Sequence, residues 1–136
     1  EVVKQHVVFG GKALRELDLS GNQLEYLPKD LYTCRYLTYL NLDQNRLRRL
    51  PNTINRLRYL EYLSLSGNEL NKVSKRICNL KRLTYLDLSD NGLTELPRRI
   101  IRLKNLNQLV LSGNPLPFEY ITYLKTQMPD TEIVFQ

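Results

Sequence analysis

The stretch LTYLNLDQNRLRRLP at Leu37–Pro51 returns at Leu83–Pro97 as LTYLDLSDNGLTELP, and this repetition decides the fold. Both stretches hold leucine at the first, fourth, sixth and eleventh places and asparagine at the ninth. The alternation around the central Leu-x-Leu is typical of a short strand with one buried face. One such segment cannot bury its own leucines, so we expect copies that stack and share a continuous core.

The same pattern begins at five leucines spaced 23 residues apart, without insertion or deletion. These leucines are Leu14, Leu37, Leu60, Leu83 and Leu106. A second half-pattern, x-x-L-P-x-x-I-x-x-L-x-x, completes the unit and is clearest in RRLPNTINRLRY and TELPRRIIRLKN. Each unit is therefore predicted to form one coil of a solenoid.

The unit resembles the leucine-rich repeat, and the resemblance covers residues 14–116 without a gap. Its L-P-x-x-I form is similar to the intracellular repeats of Ras-scaffold and Scribble-type proteins, of plant Ras-group proteins and of bacterial effectors. The resemblance implies an α/β solenoid: a right-handed leucine-rich repeat coil with five short parallel strands on the concave face and 3-10 or irregular turns on the convex face. It also implies that one asparagine of each coil points inward and bonds the backbone. These asparagines are Asn22, Asn45, Asn68, Asn91 and Asn114.

The limits of the pattern divide the chain into three parts. The repeats form units 14–36, 37–59, 60–82, 83–105 and a partial 106–116. Residues 1–13 are interpreted as an N-terminal cap or a truncated repeat, since Val8 falls where isoleucine is usual but no Leu-Pro pair is present.

Residues 117–136 break the repeat and are predicted to form a C-terminal helical cap, because the exposed end of a solenoid needs a cover. Pro117 can open the helix, and a Met-Pro pair can close it. Between them, Phe118, Ile121 and Leu124 recur at helical spacing. A short apolar EIVF segment follows.

The outward positions of the predicted strands carry polar and aromatic side chains. The third place of the unit holds tyrosine in three successive coils, at Tyr39, Tyr62 and Tyr85. Since parallel strands lie ~4.8 Å apart, these rings are expected to form a strip ~10 Å long. We predict that the concave face binds a partner through Glu16, Asp18, Tyr39, Asn41, Asp43, Tyr62, Ser64, Tyr85, Asp87, Asp90 and Gln108.

Two interpretations of this strip stay open. Tyrosine offers a large rigid contact area and a hydroxyl, and it is enriched at binding hot spots. The surrounding aspartates would then favour a partner segment with basic and apolar groups. Alternatively, tyrosine is simply a good strand former that duplication has copied, and the aromatic contacts only stabilise the sheet.

The second half of the unit is rich in cations, and the chain carries a net charge of +6. The cations expected on the convex face are Lys75, Arg76, Lys81, Arg82, Arg98, Arg99, Arg102 and Lys104. They are interpreted first as a solvated surface that keeps the array soluble, with attraction to acidic lipid or nucleic acid as the alternative. Nucleic-acid readers interleave aromatic rings with cations, and most rings are expected on the other face, so this alternative is disfavoured.

The pattern assembles no catalytic or metal-binding constellation. His6 is the single histidine, the strand serines belong to the repeat, and no phosphate-binding glycine loop occurs. We expect no enzyme activity, no cofactor, no metal and no small-molecule substrate. Cys34 replaces a core leucine, and Cys78 lies two coils away, ~10 Å, beyond the reach of a disulfide. An exposed, reactive Cys78 is kept as an alternative.

Two cysteines without a Cys-x-x-Cys pair, and the lack of any Asn-x-Ser/Thr site, favour the cytoplasm or another reducing intracellular compartment, including that of a delivered effector. The start EVVKQHVVFG does not resemble a signal peptide, and a start without methionine is consistent with a fragment or a processed product. We therefore predict a monomeric, non-catalytic protein–protein interaction module with a scaffold or signalling-adaptor role. The alternatives are a convex-face adaptor for acidic lipid or nucleic acid, and a targeting module of a larger effector or enzyme.

Overall fold

The computed structural model describes residues 14–136, so the predicted N-terminal cap at residues 1–13 lies outside the described part. Within this part, six short parallel strands form one open sheet whose order follows the chain. The strands are β1 (Glu16–Asp18), β2 (Tyr39–Asn41), β3 (Tyr62–Ser64), β4 (Tyr85–Asp87), β5 (Gln108–Val110) and β6 (Glu132–Val134). The predicted α/β solenoid is confirmed.

The register of the sheet follows the 23-residue period through the repeats. Tyr39 pairs with Tyr62, and Tyr62 pairs with Tyr85. The central leucine of each strand points inward, and Leu40 and Leu63 are fully buried. Because side chains alternate across a strand, the residues on either side of each leucine face the concave surface.

The convex side carries four 3-10 turns in the described chain: Lys29–Thr33, Asn52–Arg56, Lys75–Asn79 and Arg98–Arg102. Three of them follow a proline, whose fixed φ suits the extended residue that precedes the turn. The third turn follows Ser74 instead, and the Ser74 Oγ accepts a hydrogen bond from the Arg76 amide at 3.1 Å. This hydroxyl caps the turn, so serine is accommodated where the other coils use proline.

An asparagine ladder closes the bend after each strand. Asn68 Nδ2 donates to the carbonyls of Leu42 and Leu65, each at 3.0 Å, and Asn68 Oδ1 accepts from the Leu47 amide at 3.0 Å. One side chain thus satisfies backbone groups of two adjacent coils. The inward orientation is confirmed for the equivalent residues Asn45, Asn91 and Asn114.

The residue before each ladder asparagine adopts a left-handed backbone conformation, with φ between 54° and 75°. These residues are Gly21, Gln44, Gly67, Asp90 and Gly113. A Cβ on Gly67 would collide with the Gln44 side chain, and one on Gly113 would collide with Asp90. A side chain in one coil therefore covers the glycine of the next coil.

Both cysteines lie in the leucine core. Cys34 is fully buried, and Cys78 is buried as well. Burial raises the pKa of the Cys78 thiol, although the charges of Arg99 and Lys81 oppose that rise. An exposed, reactive Cys78 is therefore wrong, because its place on the turn faces the neighbouring coils.

The C-terminal end of the core is closed by helix α1 (Phe118–Gln127) and by β6. Ile121 and Leu124 form the buried face of the helix, while Phe118, its first residue, is 75% exposed and lies outside that face. Ile133 of β6 is buried against the last coil. The EIVF segment thus adds a sixth strand to the five that the repeats predict.

Candidate functional site

The three tyrosines of the third place form a continuous stack on the concave face. The ring centroids of Tyr39 and Tyr62 are 4.3 Å apart, and those of Tyr62 and Tyr85 are 4.6 Å apart. The planes are inclined by 14° and 11°, so the rings lie nearly face to face. All three side chains are half-buried. We call this group the tyrosine column.

The column leans along its strands toward a row of carboxylates. The Tyr85 hydroxyl donates to Asp87 Oδ2 at 3.0 Å. Burial, and after it the charge and hydrogen bond of Asp87, raise the pKa of the Tyr85 phenol. Burial also raises the pKa of Tyr62 to about 12, with further contributions from Tyr39 and Asp43. Both phenols therefore stay protonated to a higher pH than an ordinary tyrosine.

Asp43 is held in place by three neighbouring groups. Asp43 Oδ1 accepts from the Ser64 hydroxyl at 2.5 Å and from the Ser66 amide at 2.8 Å. The Asp43 amide donates to Asn41 Oδ1 at 2.9 Å. Ser64 is only 1% exposed, so the prediction that it forms part of the contact surface needs correction. Its small side chain lies within the concave layer and orients Asp43 from below the surface.

The residues at the first edge of the column are less tightly held. Glu16 is exposed and lies beside Tyr39 in the register of β1 and β2. The Asp18 carboxylate turns back to Ser20, accepting from its amide at 2.9 Å and from its hydroxyl at 2.6 Å. These two bonds lower the pKa of Asp18. Asp18 is thus a fixed anion at the margin of the tyrosine column.

Asp90 and Gln108 lie apart from the carboxylate row. Asp90 is in the bend after β4, and its carboxylate covers Gly113 of the next coil. Gln108 Nε2 donates to Glu132 Oε1 at 3.1 Å. The concave face therefore extends to β6 and includes Glu132, which the sequence reasoning missed. The alternation in EIVF was the available signal, but it lies outside the repeat.

The far end of the concave face carries an apolar pair beside Gln108 and Glu132. Val110 pairs with Val134 in the register of β5 and β6, and both side chains are half-buried. Along the solenoid, the column that holds Asn41, Ser64 and Asp87 becomes apolar at Val110 and Val134, while the neighbouring column keeps polar side chains at Gln108 and Glu132. The two ends of the concave face therefore differ in the side chains that they present to a partner.

The eight convex cations predicted from the sequence are all exposed. Within residues 14–136 the one ion pair is Arg48–Glu69, with Nε and Oε1 3.6 Å apart, and it involves none of those eight. The convex cations of the described chain therefore lack carboxylate partners at ion-pair distance.

Aromatic rings also occur among the cations, contrary to the expectation that they lie mostly on the concave face. The guanidinium of Arg15 lies 5.5 Å from the Tyr36 ring centroid, and that of Arg82 lies 4.7 Å from the Tyr59 centroid. Between them, the rings of Tyr36 and Tyr59 stack at 5.5 Å. We call Arg15, Tyr36, Tyr59 and Arg82 the basic–aromatic ladder. It was missed because its members come from three coils and lie where one unit ends or begins, at places that the repeat pattern leaves open.

Neither metal ligands nor membrane-spanning segments emerge from the described part of the chain. In residues 14–136, no three His, Cys, Asp or Glu side chains gather closely enough to hold a metal ion. No helix in the same range is long and apolar enough to cross a membrane.

Comparison with known proteins agrees with this architecture. The family model of a leucine-rich repeat region matches residues 52–127, and that of a leucine rich repeat matches residues 1–47 and 12–70. The chain therefore belongs to the leucine-rich repeat proteins. Members of this family are commonly interaction modules without catalytic activity.

Three solved structures illustrate the likeness. A leucine-rich repeat protein of Leptospira interrogans has a TM-score of 0.79 and 36% identity, covering 91% of this chain and 38% of its own. Internalin C2 of Listeria monocytogenes has a TM-score of 0.78 and 23% identity, covering 92% of this chain and 53% of its own. The BIR2 ectodomain of Arabidopsis thaliana has a TM-score of 0.61 and 33% identity, and the match covers 67% of this chain and 50% of the ectodomain. This chain thus spans about half of these proteins or less, and no curated protein matches it.

Proposed function

We propose that this chain is a non-catalytic recognition module that binds another protein through the tyrosine column and the carboxylates beside it. The observation that carries the proposal is the stack of Tyr39, Tyr62 and Tyr85, with Asp43 and Asp87 fixed along its edge. Large aromatic surface next to oriented polar groups is the composition of a binding hot spot. The common role of the family supports the proposal.

Preorganisation supports binding at this face. The rings are restrained by stacking, and Asp43 and Asp87 already accept hydrogen bonds from Ser64 and Tyr85. Ordering side chains on association costs about 0.5–1.5 kcal/mol for each flexible group, and much of that cost is absent here. A partner would therefore find the contact surface already in its binding geometry.

The partner segment that fits this face is basic at one end and apolar at the other. Asp43 and Asp87 accept from hydroxyls and amides, and the one ion pair of the described chain lies elsewhere. Their negative charge is thus available to lysine or arginine of a partner. At the other end, Val110 and Val134 favour apolar side chains.

Stacking also restricts how a cation can approach the rings. The two faces of Tyr62 are covered by its neighbours, so only ring edges and hydroxyls are presented at the centre of the column. On the side away from Tyr62, Tyr39 has Glu16 of β1 as its register partner. A guanidinium placed there would meet a ring face and a carboxylate together.

The proposal is tested by titrating the protein with synthetic peptides that carry a basic half and an apolar half. Tyr62→Ala and Tyr85→Ala are expected to weaken binding of such a peptide at least tenfold, with cooperative unfolding retained. Tyr123→Ala on α1 is the matched control, since Tyr123 is an exposed tyrosine away from the column. Equal losses in Tyr123→Ala and Tyr62→Ala, or a preference for acidic peptides, would contradict the proposal.

The basic–aromatic ladder favours a second candidate function, the binding of single-stranded nucleic acid at the basic side. Arg15 and Arg82 are ordered on tyrosine rings and have no carboxylate partner at ion-pair distance within the described chain. Ordered guanidinium groups beside aromatic rings suit phosphates and bases. Acidic lipid is the competing polyanion.

This second candidate is tested by fluorescence anisotropy with a labelled single-stranded oligonucleotide, alongside vesicles of anionic lipid. Tyr59→Ala combined with Arg82→Gln should weaken oligonucleotide binding, and affinity should fall steeply between about 50 and 200 mM salt. Arg76→Gln, at an exposed convex site, is the control. Binding to vesicles but not to the oligonucleotide would reject nucleic acid as the ligand.

The proposed cellular setting rests on the composition of the chain. We propose a scaffold or signalling-adaptor role for a monomer in the cytoplasm or another reducing intracellular compartment, including that reached by a delivered effector. A role as the targeting module of a larger protein is the alternative, and the partial coverage of the similar structures is consistent with it. Localisation of the tagged full-length gene product tests the proposed compartment. The mass of that product tests whether the repeats belong to a larger protein.

A further inference from the structure

A cavity of about 620 Å³ opens between the first two coils, on the flank that leads from the concave bend to the convex turns. Its walls come from Tyr26, Leu27 and Tyr32 of the first coil and from Pro51 and Thr53 of the second. None of these residues belongs to the tyrosine column or to the basic–aromatic ladder. The cavity is thus separate from both surfaces described above.

The size of this cavity has a local cause. Tyr32 occupies a place where the following coils carry smaller side chains, at Asn55, Cys78 and Ile101. The 3-10 turns of the first two coils also pack less closely on one another than the later turns do. The corresponding hollow between the third and fourth coils measures about 160 Å³. We attribute the wider opening to the bulk of the Tyr32 ring.

The walls of the cavity are apolar, and its rim is basic. Leu27 is buried at the wall, and the Tyr26 ring is 78% exposed at the mouth. The charged lining residues are Lys29, Arg48, Arg49 and Arg56 against a single carboxylate, Glu25. Since Arg48 is paired with Glu69, at least three cations remain for an incoming anion.

The Tyr32 side chain forms part of the cavity wall, and its Oη atom is buried beneath the accessible surface. Burial raises the pKa of this phenol, while its hydrogen bond with the Thr53 side chain and the positive charge of Arg56 oppose the rise. Arg56 therefore acts on the same part of the cavity as the Tyr32 hydroxyl.

We propose that this cavity binds a small amphiphilic anion, with an aromatic or branched apolar body and a phosphate or carboxylate head. The body would contact Tyr26, Leu27 and Pro51, and the head would meet Arg56 and Arg49 at the rim. A volume of this order lies within the range of about 300–1,000 Å³ that is usual for ligand sites. The combination of apolar walls and an excess of cations at the rim matches this chemistry.

The probe for the experiment is 1-naphthyl phosphate, measured by isothermal titration and by NMR shifts of the Leu27 methyl groups. We expect saturable binding, with 1-naphthol at least tenfold weaker because it lacks the anion. Inorganic phosphate should also be at least tenfold weaker, because it lacks the apolar body. Arg56→Gln should weaken 1-naphthyl phosphate about tenfold, the loss expected for one charge-assisted hydrogen bond.

Arg102→Gln provides the matched control, since Arg102 holds the same place in the fourth coil and does not line this cavity. It should leave the affinity for 1-naphthyl phosphate unchanged. Arg56 is exposed, so its replacement should preserve the fold, which the thermal midpoint verifies. Failure of the probe to saturate, or equal losses in Arg56→Gln and Arg102→Gln, would overturn the proposal. Peptide binding at the tyrosine column is independent of either result.

Discussion

The phenol oxygen of Tyr85 lies 3.0 Å from Oδ2 of Asp87, two residues further along the same strand. The bond requires the phenol to keep its proton, because a phenolate next to a carboxylate would be repelled. Because Tyr62 stacks on Tyr85 and Tyr39 stacks on Tyr62, the bond also fixes the tilt of the whole column. Loss of the Tyr85 phenol proton at high pH should therefore change the geometry of the surface proposed for binding.

Alkaline titration should expose this dependence. A phenol whose pKa is higher in the folded chain than in the unfolded chain stabilises the fold below the unfolded value of about 10 and loses that contribution as pH rises through the folded value. For Tyr62 the window lies between pH 10 and about 12. Urea midpoints should therefore fall across this window. In Asp87→Asn, the ultraviolet signal of Tyr85 ionisation should move to lower pH, and an unmoved signal would contradict the role of Asp87.

The asparagine ladder should be costly to interrupt. Asn68→Ala leaves the Leu47 amide and the Leu42 and Leu65 carbonyls without their side-chain partner in a buried place. We expect a loss of about 3 kcal/mol in the free energy of unfolding, measured by urea denaturation. Asn22→Ala, at an exposed rung, should cost about 1 kcal/mol or less. Similar losses at both positions would show that burial does not control the cost.

The left-handed backbone after each strand predicts that substitutions at Gly67 and Gln44 change stability in opposite directions. Gly67→Ala should destabilise the protein by about 1–2 kcal/mol, because φ is +70° and the new Cβ meets Gln44. Gln44→Gly should stabilise it by about 0.5 kcal/mol, since glycine tolerates this φ. The double variant should lose less than the sum of the two single effects, because removal of the Gln44 side chain also removes the collision. Strict additivity in thermal denaturation would argue against the contact.

The cap at the third convex turn should be measurable separately. Ser74→Ala removes the acceptor for the Arg76 amide and the hydroxyl bonded to Asn52 Oδ1 at 2.7 Å. The expected loss in the free energy of unfolding is about 1 kcal/mol. Ser74→Pro should cost less, because φ at Ser74 is −56°, close to the value proline imposes. Because alanine and proline both lack the hydroxyl, a greater loss with proline would show that its ring does not fit this turn.

The period of the sequence predicted the stack of tyrosines, because register in a sheet with one buried face is fixed by the alternation of leucines. It could not predict that Ser64 is buried, since that depends on how the concave side chains lean. The sixth strand escaped prediction because EIVF has no copy elsewhere in the chain. The cavity escaped because it arises from one volume difference, Tyr32 against Asn55, which no pattern of leucines records.

The tyrosine column also bears on the mechanics of the molecule. Neighbouring rings lie 4.3 Å and 4.6 Å apart, close to the ~4.8 Å between their strands, so a tighter arc would press the rings against one another. Stretching the concave side would instead break the backbone bonds between strands. We infer that the sheet keeps a fixed radius of curvature across its middle three coils and resists bending there. A segment that docks on it must adapt its own curvature to the arc.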